Sequence, residues 1–441
     1  MPQSKNSAAA LVPLALFLVL FIGTGAWLTH TGTDMAFYQL SATVAILPAI
    51  VLALWQGEGG VTRKINIFLS GVGEVNIITM CMIYLLAGAF ATVATAIGGV
   101  AATVNMGLSL VPPQFILPGM FCIGAFVSTA MGTSMGTIAA IAPIALGVAG
   151  QTDISLPLLM GVVVGGAMFG DNLSVISDTT IAATRTQGCD MRDKFRMNFR
   201  IALPAALAAV ALFWFAGSAG TVVRHEDYQL IKVLPYLLIL GLAVIGVNVF
   251  VVLLAGIVLC GVVGMATVDG YGALRWCQDI YKGFASMNEI MVLSMLIGGL
   301  GELIRFHGGM GWLLEKVDAL AWRISGKQAG GQKKSKAGEW CIALLAGVAD
   351  ICTANNTVAI ILTGGLAKNI AEKNGITPQR SASILDIVSC VVQGLIPYAA
   401  QLLLAGSIAK LSPVTIAVNN WYCMLLGVAI VVAIMASRTR T

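Results

Sequence analysis

The chain has 441 residues, of which 58% are hydrophobic and only 10% are charged. A soluble domain carries about 25% charged residues on its water-facing surface, so this composition excludes a soluble protein. The net charge of +5 comes from loops that flank apolar segments, and it indicates no nucleic-acid partner. The nine cysteines are scattered singly without a CxxC motif, which is typical of small buried apolar residues.

Apolar segments long enough to cross a bilayer follow one another along the chain. The first, at 8–28, is too long for the apolar part of a signal peptide, and no cleavage site follows it. Further spans are predicted at 36–55, 74–97, 156–171, 173–186, 200–218, 230–247, 248–266, 284–304, 381–397, 398–411 and 415–436, with two long interrupted regions at 115–148 and 340–371. We therefore predict an all-α polytopic membrane protein with about 11–13 transmembrane helices.

Lysine and arginine concentrate in the loops at 185–200, which includes Lys194, and at 305–336. Basic residues in short loops favour the cytoplasmic side, so both loops are predicted to be cytoplasmic. The run from Gly326 to Lys336 is rich in Gly, Lys and Gln, which is typical of a flexible linker. The predicted segments are N-terminal helices at 1–114, a first repeat core at 115–218, scaffold helices at 219–325, a linker at 326–339, and a second repeat core with the C-terminal helix at 340–441.

The two interrupted regions resemble each other. Residues 128–141 align with 348–361 at an offset of 220, which pairs Thr133 with Thr353. In the predicted topology the first region runs from outside to inside and the second from inside to outside. The chain is therefore predicted to contain two inverted repeats with broken or re-entrant helices, an arrangement that places a binding site near the bilayer midplane. The alternative is a chance similarity between two helices rich in small residues.

The densest polar cluster inside an apolar segment is 170–180. Asp171, Ser174 and Asp178 would share one face of a continuous helix, and Asn172 and Thr179 form a neighbouring stripe. An ionisable group at the bilayer centre costs about 2.5–3.5 kcal/mol, so it calls for a function. Carboxylates with hydroxyl and amide oxygens suit a hard cation such as Na⁺, and burial favours the protonated carboxyl, which could take up H⁺ when the cation leaves.

Other readings of this cluster remain open. Asp171 could cap a helix that begins after a break at Gly170, and Asp178 could pair with Arg185 seven residues on.

Two further polar clusters interrupt the paired regions. The additional candidate ligands for Na⁺ are Thr133, Ser134, Thr137, Asn355, Asn356 and Thr357, with Asp350 and Asp386 as secondary candidates. Their alternative role is hydrogen bonding between helices. The three histidines fall in predicted loops without metal-ligand spacing, so neither a catalytic metal nor a cofactor is predicted.

These motifs resemble a known family. Gly132-Thr-Ser-x-Gly-Thr137, followed by the Gly-Asp-Asn…Ser-Asp-Thr-Thr string of 170–180 and by Gly188-Cys-Asp190, is similar to the NhaC family of Na⁺/H⁺ antiporters in the ion transporter superfamily. The resemblance is close over 128–200 and looser over 340–411. It implies an inverted-repeat fold, a Na⁺-coupled cycle and cation ligands at Thr133, Ser134, Asp171, Asn172, Ser174 and Asp178.

The sequence thus predicts a secondary transporter of the bacterial inner membrane that exchanges Na⁺ for H⁺, with Asp171 and Asp178 as coupling carboxylates. The alternative is Na⁺-coupled transport of an amino acid or small carboxylate, since Val175 stands where many members of the family carry proline. No enzyme is predicted, because an intramembrane aspartyl protease would need a G-x-G-D motif and a Tyr-Asp partner, and an ATP-driven pump a Walker motif. A homodimer could use the spaced glycine pairs at 161/165 and 166/170, although contacts within the chain suit them better.

Overall fold

The computed structural model describes residues 7–31, 33, 39–217, 228–313, 315–316, 319 and 331–436. Their regular structure is helical. The α-helices are α1 Val12–Leu18, α2 Thr24–His30, α3 Ala42–Ala45, α4 Leu47–Trp55, α5 Val61–Val72, α6 Val75–Ala96, α7 Gly99–Leu110, α8 Ile116–Met131, α9 Ser134–Gln151, α10 Leu156–Leu173, α11 Asp178–Gln187, α12 Met191–Gly217, α13 Leu234–Val244, α14 Val249–Thr267, α15 Ala273–Ser286, α16 Asn288–Phe306, α17 Gly331–Thr353, α18 Asn356–Asn374, α19 Pro378–Gln393, α20 Ala400–Ala409, α21 Pro413–Asn419 and α22 Trp421–Met435.

Six segments of the described chain are helical, long and apolar enough to cross a membrane: Val75–Ala96, Pro113–Met131, Ser134–Gln151, Leu156–Gln187, Met191–Gly217 and Val249–Thr267. Two bent pairs, α15 with α16 and α20 with α21, raise that number to eight if each pair forms one span. The predicted fold class, an all-α polytopic membrane protein with broken helices, is confirmed.

Each of the two interrupted regions folds back on itself as a helical hairpin. Ile116 near the start of α8 lines one cavity with Val148 near the end of α9, which places the two helices antiparallel. In the second hairpin, a Cβ atom at Gly338 would lie 2.8 Å from Asn374 at the end of α18. The two regions are therefore hairpins with tips at 132–133 and 354–355, rather than single interrupted crossings.

Each hairpin is followed by a helix that breaks near its middle. α10 ends at Leu173 and α11 begins at Asp178, and in the second repeat α19 ends at Gln393 and α20 begins at Ala400. The offset of 220 residues that pairs Thr133 with Thr353 also pairs Leu173 with Gln393. The repeat predicted from one short alignment thus extends over four helices in each half.

The second broken helix runs opposite to the first. The Ser381 hydroxyl at the start of α19 donates to Gln187 Oε1 at the end of α11 at 2.8 Å, so α19 begins on the side where α11 ends. Gln187 Nε2 also donates to the Gly364 carbonyl of α18 at 2.9 Å, and Gln401 of α20 donates to Ser134 of α9 at 3.1 Å. The repeats are therefore inverted and pack crosswise, with α11 against the second hairpin and α20 against the first.

Helices α5, α6, α15 and α16 form a scaffold beside the repeats. α5 packs against α16, and α6 packs against α15. A Cβ atom at Gly88 would lie 2.4 Å from the Gly283 carbonyl oxygen, so only glycine permits this approach of two helix backbones.

The spaced glycine pairs are used within the chain. A Cβ atom at Gly161 would lie 2.2 Å from the Asn419 carbonyl oxygen, and one at Gly166 would lie 2.6 Å from that of Phe121. These glycines bring α10 close to α21 and α8. These glycines therefore serve close helix contacts within one chain, as their spacing led us to expect.

The segment taken as a linker, 326–339, is only partly described. Residues 326–330 lie outside the described residues, whereas α17 is helical from Gly331 onward. The second hairpin therefore begins several residues before the boundary at 340 expected from hydropathy, because polar residues fill the first turns of its opening helix.

The two hairpin tips offer a matched test of backbone strain. Gly132 has φ +70° and a Cβ atom there would lie 2.7 Å from Ile176 Cγ1, whereas Ala354 already adopts φ +50°. A left-handed conformation costs a residue with a Cβ about 1–2 kcal/mol. Gly132→Ala should therefore lower the thermal unfolding midpoint in detergent, and Ala354→Gly should leave it equal or higher. Equal destabilisation by both substitutions would contradict this assignment.

Candidate cation site

Asp171, in the last turn of α10, lies where the first hairpin tip meets the first helix break. Its side chain is buried, with 6% of the residue exposed. Ser134, the first residue of α9, donates from Oγ to Asp171 Oδ2 at 2.8 Å, and Ser177 in the break donates to Oδ1. Hydroxyl groups from two elements thus converge on one carboxylate carried by a third.

A further hydroxyl group and an amide group contact the two serines that bond to this carboxylate. Ser177 Oγ lies 2.9 Å from Thr179 Oγ1, and Gln401 Nε2 of the second repeat donates to Ser134 Oγ at 3.1 Å. The ion pairs found in the described part of the chain include none to Asp171. A buried carboxylate that has no ion-pair partner among the described residues and accepts from two hydroxyl groups is chemically suited to a small hard cation.

A second buried acid, Asp386 of α19, is held in a different way. Lys194 Nζ lies 2.5 Å from Asp386 Oδ2, and each side chain is 1% exposed. Asn172 and Asn198 donate to the same oxygen at 2.9 and 2.8 Å. This ion pair joins α12 of the first repeat to α19 of the second and neutralises the Asp386 charge inside the protein.

Lys194 also forms hydrogen bonds to groups at the first helix break. Its ammonium group donates to the Asn172 carbonyl at 2.9 Å and to Thr180 Oγ1 at 2.7 Å, and Thr180 donates to the Ser174 carbonyl at 2.7 Å. Carbonyl groups freed by a helix break inside a membrane need such partners. Lys194 therefore fixes the peptide segment that presents Asp171.

Sequence reasoning did not single out Lys194, Asn198, Ser177 or Gln401. Lys194 was counted with the basic residues of a cytoplasmic loop, but it is buried on α12. The spacing of residues along α12 could have identified Lys194 as buried. Lys194 and Asn198 lie on the same face of that helix as the buried residues Ile201, Ala202 and Ala205. A charge in line with buried apolar residues indicates a buried ion pair more than a loop.

The structure brings only part of the predicted set around Asp171. Ser134 bonds to it directly and Thr179 reaches it through Ser177, whereas Asp178 is exposed in the first turn of α11. The expected shared face of Asp171, Ser174 and Asp178 does not form, because the helix is interrupted between them. The alternative Asp178 to Arg185 ion pair is likewise not among those of the described residues.

Thr133 and Thr137 lie at the first tip, and the hydrogen bonds of the described residues include none from either of them to Asp171. Thr137 Oγ1 donates to the Thr133 carbonyl at 3.0 Å, a bond within the first turn of α9. The Thr137 hydroxyl therefore bonds within its own helix rather than between helices, and the ligand role of these two residues stays a prediction.

The second hairpin tip uses its amide side chains as helix caps. Asn355 Oδ1 accepts from the Val358 amide at 3.0 Å, and Asn356 Oδ1 accepts from the Thr357 amide at 2.9 Å. Asn355 Nδ2 has no hydrogen-bond acceptor within the described chain. Thr353 and Asn355 of this tip line a cavity of about 250 Å³ that is also bordered by Glu74, Glu302 and Arg305.

Inverted repeats whose helix breaks meet around a buried carboxylate define a secondary transporter rather than an enzyme. Residues 4–218 match the model of the Na⁺/H⁺ antiporter family. This match and the relatives of the chain confirm the predicted resemblance to NhaC.

The Na⁺/H⁺ antiporter NhaC of Bacillus subtilis is 26% identical over 90% of this chain and 90% of its own length. NhaC of Alkalihalophilus pseudofirmus is 26% identical over 66% of this chain and 68% of its own. The malate-2H⁺/Na⁺-lactate antiporter of Bacillus subtilis is also 26% identical, over 68% of this chain and 69% of its own.

The buried ion pair gives a stability prediction. Lys194→Met leaves Asp386 buried without a cation, and breaking a buried pair from one side costs about 3–5 kcal/mol. The variant should unfold at a markedly lower temperature in detergent. The double variant Lys194→Met/Asp386→Asn removes both charges and should recover most of the loss. If the single and double variants unfold at the same temperature, the pair does not carry this energy.

Proposed function

We propose that this protein exchanges Na⁺ for H⁺ across a bacterial cell membrane by alternating access, with Asp171 as the carboxylate that binds Na⁺. The observation that supports this most is the pairing pattern of the buried acids. Asp386 is neutralised by Lys194, whereas Asp171 has hydroxyl partners and no ion pair among the described residues. A cation that enters the cluster would supply the charge that Asp171 lacks.

The ligands that we propose for Na⁺ are Asp171, Ser134 and Ser177, with Thr179 beside them. They come from α10, from the first hairpin tip and from the first helix break, so a movement of either tip or break would change the number of oxygens around the ion. Since Na⁺ affinity depends on several oxygen ligands acting together, such a movement would release it. Asn172 and Ser174 hold the break in place through their backbone carbonyls.

A second candidate function is Na⁺-coupled transport of a small organic solute. The cavity of about 250 Å³ at the second hairpin tip could admit one, and one relative is named for malate and lactate. Proteoliposomes separate the two functions. Movement of H⁺ driven by a Na⁺ gradient alone supports exchange of the two ions, whereas strict dependence on one added amino acid or carboxylate supports the alternative.

The role of Asp171 is tested with a matched pair of substitutions. Asp171→Asn removes the carboxylate while keeping the size of the side chain, so Na⁺-driven H⁺ movement in proteoliposomes should fall to background. Asp178→Asn removes the exposed acid seven residues further on and should keep transport near the wild-type rate. Full transport activity of the Asp171 variant would exclude Asp171 as the coupling carboxylate. Loss of transport in the Asp178 variant would show that Asp178 is needed for coupling.

Ser134 offers a graded test of the same site. A hydrogen bond to a charged group contributes about 1.5–3 kcal/mol, and 1.4 kcal/mol corresponds to about tenfold in affinity. Ser134→Ala should therefore raise the half-saturating Na⁺ concentration at least about tenfold. Ser128→Ala is the control, because the Ser128 hydroxyl is buried nearby but donates to the Ala167 carbonyl. An equal change in both variants would assign the effect to packing.

A further inference from the structure

Asp350 of α17 is a third buried acid, and it has no role in the mechanism described so far. It is 0% exposed. Neither carboxyl oxygen has a hydrogen-bond partner among the described residues, in contrast to Asp171 and Asp386, which both accept hydrogen bonds. A buried carboxylate without hydrogen bonds or a cation is costly by several kcal/mol, so the neutral, protonated carboxylic acid is the form that fits this position.

The groups that face Asp350 do not supply a charge. Tyr398, in the segment between α19 and α20, directs its hydroxyl to the Ile351 carbonyl at 2.7 Å, and Cys352 is the other titratable neighbour. Helix α17 packs against α16, α18, α19 and α22. The nearby acid and base of α16, Glu302 and Arg305, pair with each other, and Asp386 of α19 pairs with Lys194.

Asp350 lies one helical turn before the second hairpin tip. The Ala354 amide donates to the Asp350 carbonyl at 2.7 Å, and Ala354 adopts the left-handed φ of +50°. Cys352, Thr353 and Asn355, which follow Asp350, line the cavity of about 250 Å³. Asp350 therefore lies in the helical turn next to residues that border the cavity, and a movement of this tip is the route by which its carboxyl group would reach the cavity.

We propose that Asp350 carries the transported proton, so that the two ions use separate carboxyl groups in the two repeats. Asp350 takes up one H⁺ from the solution on one side of the membrane. It stays protonated and neutral while the transporter changes conformation, and it releases that H⁺ when the second hairpin tip opens to the other side. Asp171 binds Na⁺ in the complementary steps. This inference rests on the proposed exchange of Na⁺ for H⁺ and assigns its proton to a particular residue.

The test compares coupled and uncoupled transport in proteoliposomes. Asn is close in size to the protonated Asp350 side chain, so Asp350→Asn should keep the fold and keep exchange of labelled Na⁺ for unlabelled Na⁺. Its Na⁺-driven H⁺ movement, followed with a trapped pH dye, should fall to background. Asp279→Asn is the matched control, since Asp279 is a buried acid of the scaffold, 4% exposed and paired with Lys282, and it should keep both activities.

The outcomes are separable. Wild-type H⁺ movement by Asp350→Asn overturns the assignment, and so does the loss of both activities in a variant that elutes as the wild type, because that would place Asp350 on the Na⁺ path. Asp350→Glu is a second test that does not depend on the stability of the Asn variant. This variant keeps a carboxyl group, so the pH dependence of coupled exchange should shift if residue 350 carries the proton. An unchanged pH dependence would contradict the proposal. Absence of Na⁺-driven H⁺ movement in the wild type would instead refute the proposed function itself.

Discussion

A helix that is interrupted inside a membrane must find partners for the carbonyl and amide groups that the interruption releases. This constraint organises the centre of the protein. At the first break, Lys194 and Asn198 donate to the Asn172 carbonyl, and Thr180 donates to that of Ser174. At the second hairpin tip, Gln393 donates to the Ala354 carbonyl at 2.9 Å. The side chains that satisfy the breaks also bind the two repeats together.

The same centre holds three acids in three electrostatic environments. Asp386 lies against an ammonium group, Asp171 accepts from two hydroxyls, and Asp350 is enclosed without a described partner. Surroundings that differ in this way suit the three carboxyl groups to different roles. We therefore assign each acid a separate role: Asp386 stabilises the structure, Asp171 binds Na⁺ and Asp350 carries H⁺.

Composition and hydropathy were sufficient to predict the class of fold, because a chain with 10% charged residues can only expose its surface to lipid. The inverted repeat was also predictable, since small and polar residues interrupt both regions at the same offset. The hairpin form of those regions was not, because hydropathy does not distinguish an interrupted crossing from a helix that folds back. Ser134 and Asp171 were identified as polar residues in apolar segments. Lys194 and Gln401 were missed, because their importance comes from contacts between elements far apart in sequence.

The crosswise packing of the repeats limits how the protein can move. Helix α11 of the first repeat rests on the second hairpin through Gln187 and Gly364, and α20 of the second rests on the first through Gln401 and Ser134. Neither hairpin can shift without disturbing a helix of the opposite repeat. Two cavities of about 250 and 320 Å³, at Glu74 beside α18 and at Glu289 beside α20, lie where these repeats meet the scaffold. A movement that opens one of these cavities to solution is therefore coupled to a movement at the other. Both cavities would be open at the same time only if the interlocked repeats separated.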